Sequence, residues 1–168
     1  MEEKLVLFLD RDGVINERKT DYVKNINELK FLPNIFEALK KFNDMGFMII
    51  IITNQSIINR KIISKNQLEE IHNHMLKTME KNLCKITKIY FCPHRPDEKC
   101  KCRKPNTGMI EHAMKEFKIK ISNSILIGDS ESDIEAANRM KMKSIKIQTD
   151  GQLINLIDNV RNSFKQFN

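Results

Sequence analysis

The chain has 168 residues, 40% of them hydrophobic, which is enough for one real core and too short for two comfortable domains, so a single domain over 1–168 is expected. Met1 to Lys4 carry no basic stretch followed by an apolar run and a cleavage site, and no apolar run approaches bilayer length; a cytoplasmic protein without a membrane partner is expected. The formal charge of +7, from 29 Lys plus Arg against 22 Asp plus Glu, favours small anions, but the cations form no tract and lack the aromatic interleaving of single-strand binders, so nucleic acid is not an expected partner and a monomer is.

Leu5 to Leu9 is a short apolar run that reads as a strand buried on both faces, and it stops on Asp10-Arg11-Asp12-Gly13. In an open parallel sheet ligands bind beyond the carboxyl ends of the strands, so two acids placed there point to a site. An Asp-Gly turn with Asp12 as its polar first residue is the competing reading. Residues 14–31 form a polar connection of the length that often carries function. Pro33 opens a helix with Ile35, Leu39 and Phe42 on one face, and Gly46 ends it. Phe47 to Ile52 is a second buried strand, and Thr53-Asn54-Gln55-Ser56 crowd its carboxyl end. Residues 65–82 read as a helix with Leu68, Ile71, Met75 and Met79 on its core face. His72 and His74 lie nearly opposite one another on it, cannot share a ligand, and read as ordinary surface or edge histidines.

Ile86 to Phe91 makes a third strand, followed by an irregular stretch over 92–106 and a helix from about Thr107 to Phe117. Ser124 to Ile127 is a fourth strand running into Gly128-Asp129-Ser130-Glu131-Ser132-Asp133, after which Ile134, Ala137 and Met140 mark a helix face. Lys143 to Ile147 is a short fifth strand, and the polar tail after Asp150 holds at most one more helix. This alternation implies parallel pairing through right-handed crossovers. The class is α/β, a three-layer Rossmann-like sandwich around a mainly parallel sheet, with the polar strand ends along one edge.

The most specific spacing is Cys92-Pro93-His94, five residues, then Cys100-Lys101-Cys102. Three thiols and an imidazole satisfy tetrahedral zinc and leave no position for water, which predicts a structural ion over the loop 92–102. A disulfide or free thiols is the alternative, disfavoured in a cytosolic chain where Cys100 and Cys102 are too close in sequence to bridge readily. Cys84 lies outside the cluster and reads as a small buried side chain. Clipping the loop would remove its freedom and aim Arg103 and Lys104, which follow directly, into the crevice.

Asp10, Asp12, Thr53, Lys104 and Asp129 thus fall at or just past strand ends on one edge. Asp10 and Asp129 offer hard oxygen ligands to magnesium, which relieves the repulsion between an anionic nucleophile and a phosphate. Lys104 and the Thr53 hydroxyl suit the equatorial oxygens of a transferring phosphoryl group.

The stations Asp10-Arg11-Asp12-Gly13, Thr53-Asn54, Lys104 and Gly128-Asp129 with Asp133 resemble the four motifs of the haloacid dehalogenase superfamily of phosphotransferases. Asp-Arg-Asp-Gly-Val-Ile-Asn, Thr-Asn-Gln-Ser, Cys-Pro-His and Cys-x-Cys-Arg-Lys-Pro are similar to its zinc-loop branch without a large cap domain, which contains heptose bisphosphate phosphatases and histidinol-phosphate phosphatase domains. The resemblance covers residues 4 to 147. It implies that Asp10 is a nucleophile forming an aspartyl-phosphate, and that Asp12 protonates the leaving oxygen and then activates water, its protonated form being favoured. It implies magnesium held by Asp10, the Asp12 carbonyl and Asp129, phosphoryl binding by Thr53 and Lys104, substrate contacts from Asn54 and Arg103, and support from Asp133. Zinc would sit on Cys92, His94, Cys100 and Cys102.

The segments Val14-Ile15-Asn16, Asp21-Tyr22-Val23 and Gly108-Met109 are closer to the heptose enzymes. The implied reaction is magnesium-dependent removal of the 7-phosphate of a small phosphorylated sugar, D-glycero-D-manno-heptose 1,7-bisphosphate, in surface polysaccharide synthesis. The neighbouring expectation is a histidinol-phosphate or other small phosphomonoester phosphatase, and the expectation from another class is a non-catalytic zinc module that binds anions. Where the heptose family usually has glycines, this chain has Asn34 and Ile57. Losing the second glycine is expected to remove backbone freedom beside the second motif.

Overall fold

Side chains of the first strand alternate between two apolar layers, as the two-residue period of a strand requires. In the computed structural model, which describes residues 4–164, Leu7 and Leu9 enter one core cluster while Val6 and Phe8 enter the other. The reading of residues 1–3 as free of a leader lies outside the described residues. β1 (Leu5–Leu9) is central, pairing in parallel with β2 (Phe47–Asn54) on one side and β4 (Ser124–Gly128) on the other. β3 (Lys88–Cys92) extends the sheet beyond β2 and β5 (Lys143–Lys146) beyond β4, giving the order β3-β2-β1-β4-β5. The order therefore reverses between β1 and β4, and the crevice at such a switch point is where an open α/β sheet binds its ligand.

Three helices cover one face: α1 (Ile35–Asp44), α2 (Lys65–Lys81) and α5 (Ile157–Phe164) contribute Leu39, Phe42, Leu68, Met75 and Val160 to its core. On the other face α3 (Gly108–Phe117) and α4 (Glu131–Arg139) contribute Ile110, Ala113, Ala136 and Ala137. This is the expected three-layer α/β sandwich. The connections carry short 3-10 turns and, among the described residues, no inserted domain. No helix among the described residues is long and apolar enough to cross a membrane.

Several expectations are corrected locally. The connection over 14–31 is not merely polar: Val14, Ile15, Val23 and Leu29 are buried in the core, and Asn16 bridges to both Asp12 and Phe31. α1 begins at Ile35, because Asn34 is left-handed at φ 59, a conformation that Asn tolerates better than most residues. β2 runs on through Asn54, and β3 lies two residues later than its apolar run suggests at its start and one later at its end. On α4 the buried face is Asp133, Ala136 and Ala137, with Ile134 half-buried. Ile57 is fully buried without a positive φ, so this position supplies packing to the core and suffers no strain.

Candidate active site

Asp10 follows the last residue of the central strand, where its amide still bonds the Ile127 carbonyl of β4 at 3.1 Å. Its Oδ1 accepts a hydrogen bond from Lys104 Nζ at 2.8 Å, and the same ammonium lies 2.6 Å from Asp133 Oδ1. A further bond to the Ile52 carbonyl fixes the lysine against the end of β2. Lys104 is nine-tenths or more buried, and the two carboxylates raise its pKa against the cost of burial, so it stays charged. Burial pushes the Asp10 carboxyl up to about 7, the Lys104 ammonium pulling the other way.

Asp129 enters from the end of β4. Its ligand oxygens lie with those of Asp10 and Asp133 within 4.8 Å of one another. Asp129 Oδ2 is buried and accepts no hydrogen bond, and the half-exposed Arg18 guanidinium is 3.3 Å away. A tight set of carboxylate oxygens with an unsatisfied buried acceptor fits a small hard cation such as magnesium. Two glycines permit the approach. Gly13 has φ +87, and a Cβ on it would come within 2.3 Å of Asp129 Oδ2; one on Gly128 would meet Asp133 Cβ at 2.3 Å. Asp133 itself caps α4, accepting from the Ser130 amide at 3.1 Å and the Ser130 hydroxyl at 2.6 Å.

Asp12 points into a different set of partners. Arg11 Nη2 forks onto both of its oxygens at 2.9 and 3.0 Å, Asn16 Nδ2 donates to Oδ1 at 2.9 Å, and Gln55 Nε2 donates to Oδ2 at 2.8 Å. Burial acts to raise the Asp12 pKa, but the Arg11 charge and these donors more than offset it and hold the carboxyl below its usual range. The expectation that its protonated form is favoured is therefore corrected: these surroundings favour the carboxylate.

His72 is also corrected. It is buried on α2, with its Nε2 3.0 Å from Arg11 Nη1 and its ring edge-on to Phe91. The signal was available: with Leu68 at i−4 and Met75 at i+3, position 72 falls inside the apolar stripe. Arg11 belongs to the first motif, but its burial is not legible in sequence, because an arginine is almost never fully buried unless paired and its histidine partner lies 61 positions away.

Thr53 is buried at the end of β2, and its hydroxyl accepts from Gln55 Nε2 at 2.9 Å. Asn54 donates to the Lys104 carbonyl at 3.1 Å and accepts from the Lys104 amide at 3.0 Å, so both ends of its amide hold the lysine's backbone. A cleft of about 200 Å³ is lined by Asp10, Asp12, Thr53, Asn54, Arg103 and Lys104. Arg18, Tyr22, Ser56, Ser130 and Ser132 complete its wall. Ser56, Ser130 and Ser132 belong to stretches that the sequence marks at strand ends and Tyr22 to one that resembles the heptose enzymes, whereas Arg18, a single polar residue in a connection, carries no periodic signal.

Beside the cleft, Cys92, His94, Cys100 and Cys102 converge. Cys100 Sγ is 3.6 Å from both Cys92 and Cys102, while His94 Nδ1 is 3.4 Å from Cys92 and 3.3 Å from Cys102. A tetrahedral ion with bonds of about 2.3 Å would separate its sulfurs by about 3.7 Å, which two of the three sulfur pairs match while Cys92 and Cys102 are closer at 3.0 Å; the donor set is compatible with zinc once that pair opens. The cluster grips the next residue: Arg103 donates its amide to Cys100 Sγ at 3.3 Å and its guanidinium to the His94 carbonyl at 3.0 Å.

A parallel sheet that presents paired aspartates, a threonine, a buried lysine and further carboxylates at its switch point defines a haloacid dehalogenase-like phosphatase. The chain belongs to the polynucleotide kinase 3 phosphatase family, whose sequence profile matches residues 4–164. It is 40% identical over 145 residues, 86% of this chain and 83% of the relative, to a Helicobacter pylori protein named D-glycero-beta-D-manno-heptose-1,7-bisphosphate 7-phosphatase. A Campylobacter jejuni relative, 45% identical over 130 residues (77% of this chain, 74% of the relative), is named as the alpha enzyme. The fold is that of D,D-heptose 1,7-bisphosphate phosphatase from B. bronchiseptica, solved with magnesium and phosphate: TM-score 0.83 at 24% identity, covering 94% of this chain and 98% of that one.

Proposed function

We propose that this phosphatase hydrolyses the 7-phosphate of D-glycero-D-manno-heptose 1,7-bisphosphate through an aspartyl-phosphate, as a single-domain monomer of the cytoplasm. The observation that carries the chemistry is the buried Lys104 bridging Asp10 and Asp133, because it holds one Asp10 oxygen and leaves the other free to attack. The heptose substrate rests on the names of the relatives.

In this reading Asp10 attacks phosphorus in line with the leaving sugar oxygen, and Lys104 with the Thr53 hydroxyl holds the phosphoryl oxygens as charge shifts onto them. Asp12, a carboxylate before substrate binds, takes up the proton that a monoanionic phosphate ester carries and passes it to the leaving oxygen as the P–O bond breaks. Its carboxylate then takes a proton from the water that attacks the aspartyl-phosphate, releasing phosphate and restoring Asp10. Asp10, the Asp12 carbonyl and Asp129 would hold magnesium, which when bound neutralises charge between carboxylate and phosphate. Arg103 reaches the remote part of the substrate from the loop closed by zinc on Cys92, His94, Cys100 and Cys102. Asn54 contributes by fixing Lys104, and Asp133 by pairing it.

A phosphate-release panel tests the reading. With magnesium, turnover is expected on one or both anomers of heptose bisphosphate and to be much weaker on histidinol phosphate and generic monoesters. Preference for histidinol phosphate would overturn the substrate assignment, and no release from any of them would overturn the phosphatase mechanism.

A further inference from the structure

Asp12 is gripped more completely than any other side chain of the cleft. Arg11 supplies the fork, with Nε also donating to Oδ1 at 3.2 Å, and Arg11 is itself 1% exposed. A guanidinium can face one carboxylate in several ways, so something must fix its plane. His72 Nε2, on α2, lies 3.0 Å from Nη1 and does so. Because Arg11 is always a donor, Nε2 has to be the acceptor and the imidazole must carry its proton on Nδ1.

We infer that His72 is a positioning residue of the reaction, acting through Arg11 to aim the Asp12 carboxyl between the leaving oxygen and the attacking water. Burial, followed by the Arg11 charge, pushes the His72 imidazole down to about 3, which keeps Nε2 free to accept throughout the neutral range. Gln55 completes the arrangement: its Nε2 donates both to Asp12 at 2.8 Å and to the Thr53 hydroxyl at 2.9 Å, tying the proton-transfer group to the phosphoryl-binding one. The inference rests on the proposed role of Asp12.

The test is a mutant cycle read by p-nitrophenol release from p-nitrophenyl phosphate, a leaving group that needs little protonation, together with kcat and KM on heptose bisphosphate. His72→Leu should lower kcat on the sugar roughly 10–100-fold, a fraction of what general acid–base catalysis supplies. KM should change less than about threefold, and His72→Gln, which keeps an acceptor, should recover most of the loss. In an Asp12→Asn background His72→Leu should add nothing, because residues acting as a unit are not additive. Arg11→Lys, which keeps the charge without the fork, should reproduce the His72→Leu pattern and serves if the leucine variant does not fold. Imidazole nitrogen shifts should report the Nδ1–H tautomer in the wild type.

Multiplicative losses in the Asp12→Asn background, a loss confined to KM, a glutamine variant no better than leucine, or the opposite tautomer would overturn the inference. Wild-type protein that hydrolyses p-nitrophenyl phosphate but not the sugar would sink the substrate reading alone, and the cycle on the aryl substrate would then read the role of Asp12 in activating water. Absence of both activities would remove the phosphatase mechanism and this inference with it.

Discussion

The Lys104 ammonium sits 2.8 Å from Asp10 Oδ1, with the two side chains 2% and 8% exposed and 94 positions apart in sequence. A buried ion pair of this kind is weak evidence for stability, but removing one partner is costly because the other charge stays behind. Lys104→Met should therefore lower unfolding free energy by about 3–5 kcal/mol in urea titration and abolish phosphate release. An equally stable variant would show that Asp10 and Asp133 do not depend on the lysine.

Asp10→Asn keeps the shape of the site and removes the nucleophile. Turnover should fall by at least about three orders of magnitude, with unchanged circular dichroism and unchanged zinc content. Residual activity near wild type would exclude Asp10 as the attacking group.

Gly13→Ala should be poorly tolerated for two separate reasons. Its φ of +87 disfavours any Cβ by roughly 1–2 kcal/mol, and the added carbon would lie 2.3 Å from Asp129 Oδ2. Displacing that carboxylate by about an ångström can cost on the order of a hundredfold in rate, so magnesium titration of activity should shift to higher concentration as kcat falls. A stable variant with the parent magnesium dependence would contradict the close approach.

The thiol cluster predicts about one zinc per chain by elemental analysis. Replacing Cys100 and Cys102 with Ser should remove it and expose the 92–106 segment to proteolysis, since the metal supplies the energy that orders such a loop. Because Arg103 is bonded to Cys100 Sγ and the His94 carbonyl, turnover should fall as well. Parent protein devoid of zinc would end the argument for a metal clip.

Much of this molecule was legible without coordinates. Short apolar runs alternating with helical periods determined the parallel three-layer class, because only that arrangement buries strands on both faces. Acids and hydroxyls placed directly after those runs determined which edge carries the chemistry, and the Cys-x-His…Cys-x-Cys spacing picked out the metal loop that precedes Lys104. Each of these signals is local in the chain.

What only the tertiary structure decided is how distant polar groups pair. From spacing alone His72 reads as a surface or edge histidine, whereas α2 lays it against Arg11, 61 positions away; Asp12 reads as a group kept neutral, whereas that same arginine favours its carboxylate. Asn54, expected to contact substrate, lines the cleft and also holds the Lys104 backbone with both ends of its amide, a pairing that a separation of 50 positions conceals. A buried polar group must find a partner, but which one is fixed by how the chain packs, and sequence spacing carries no record of that.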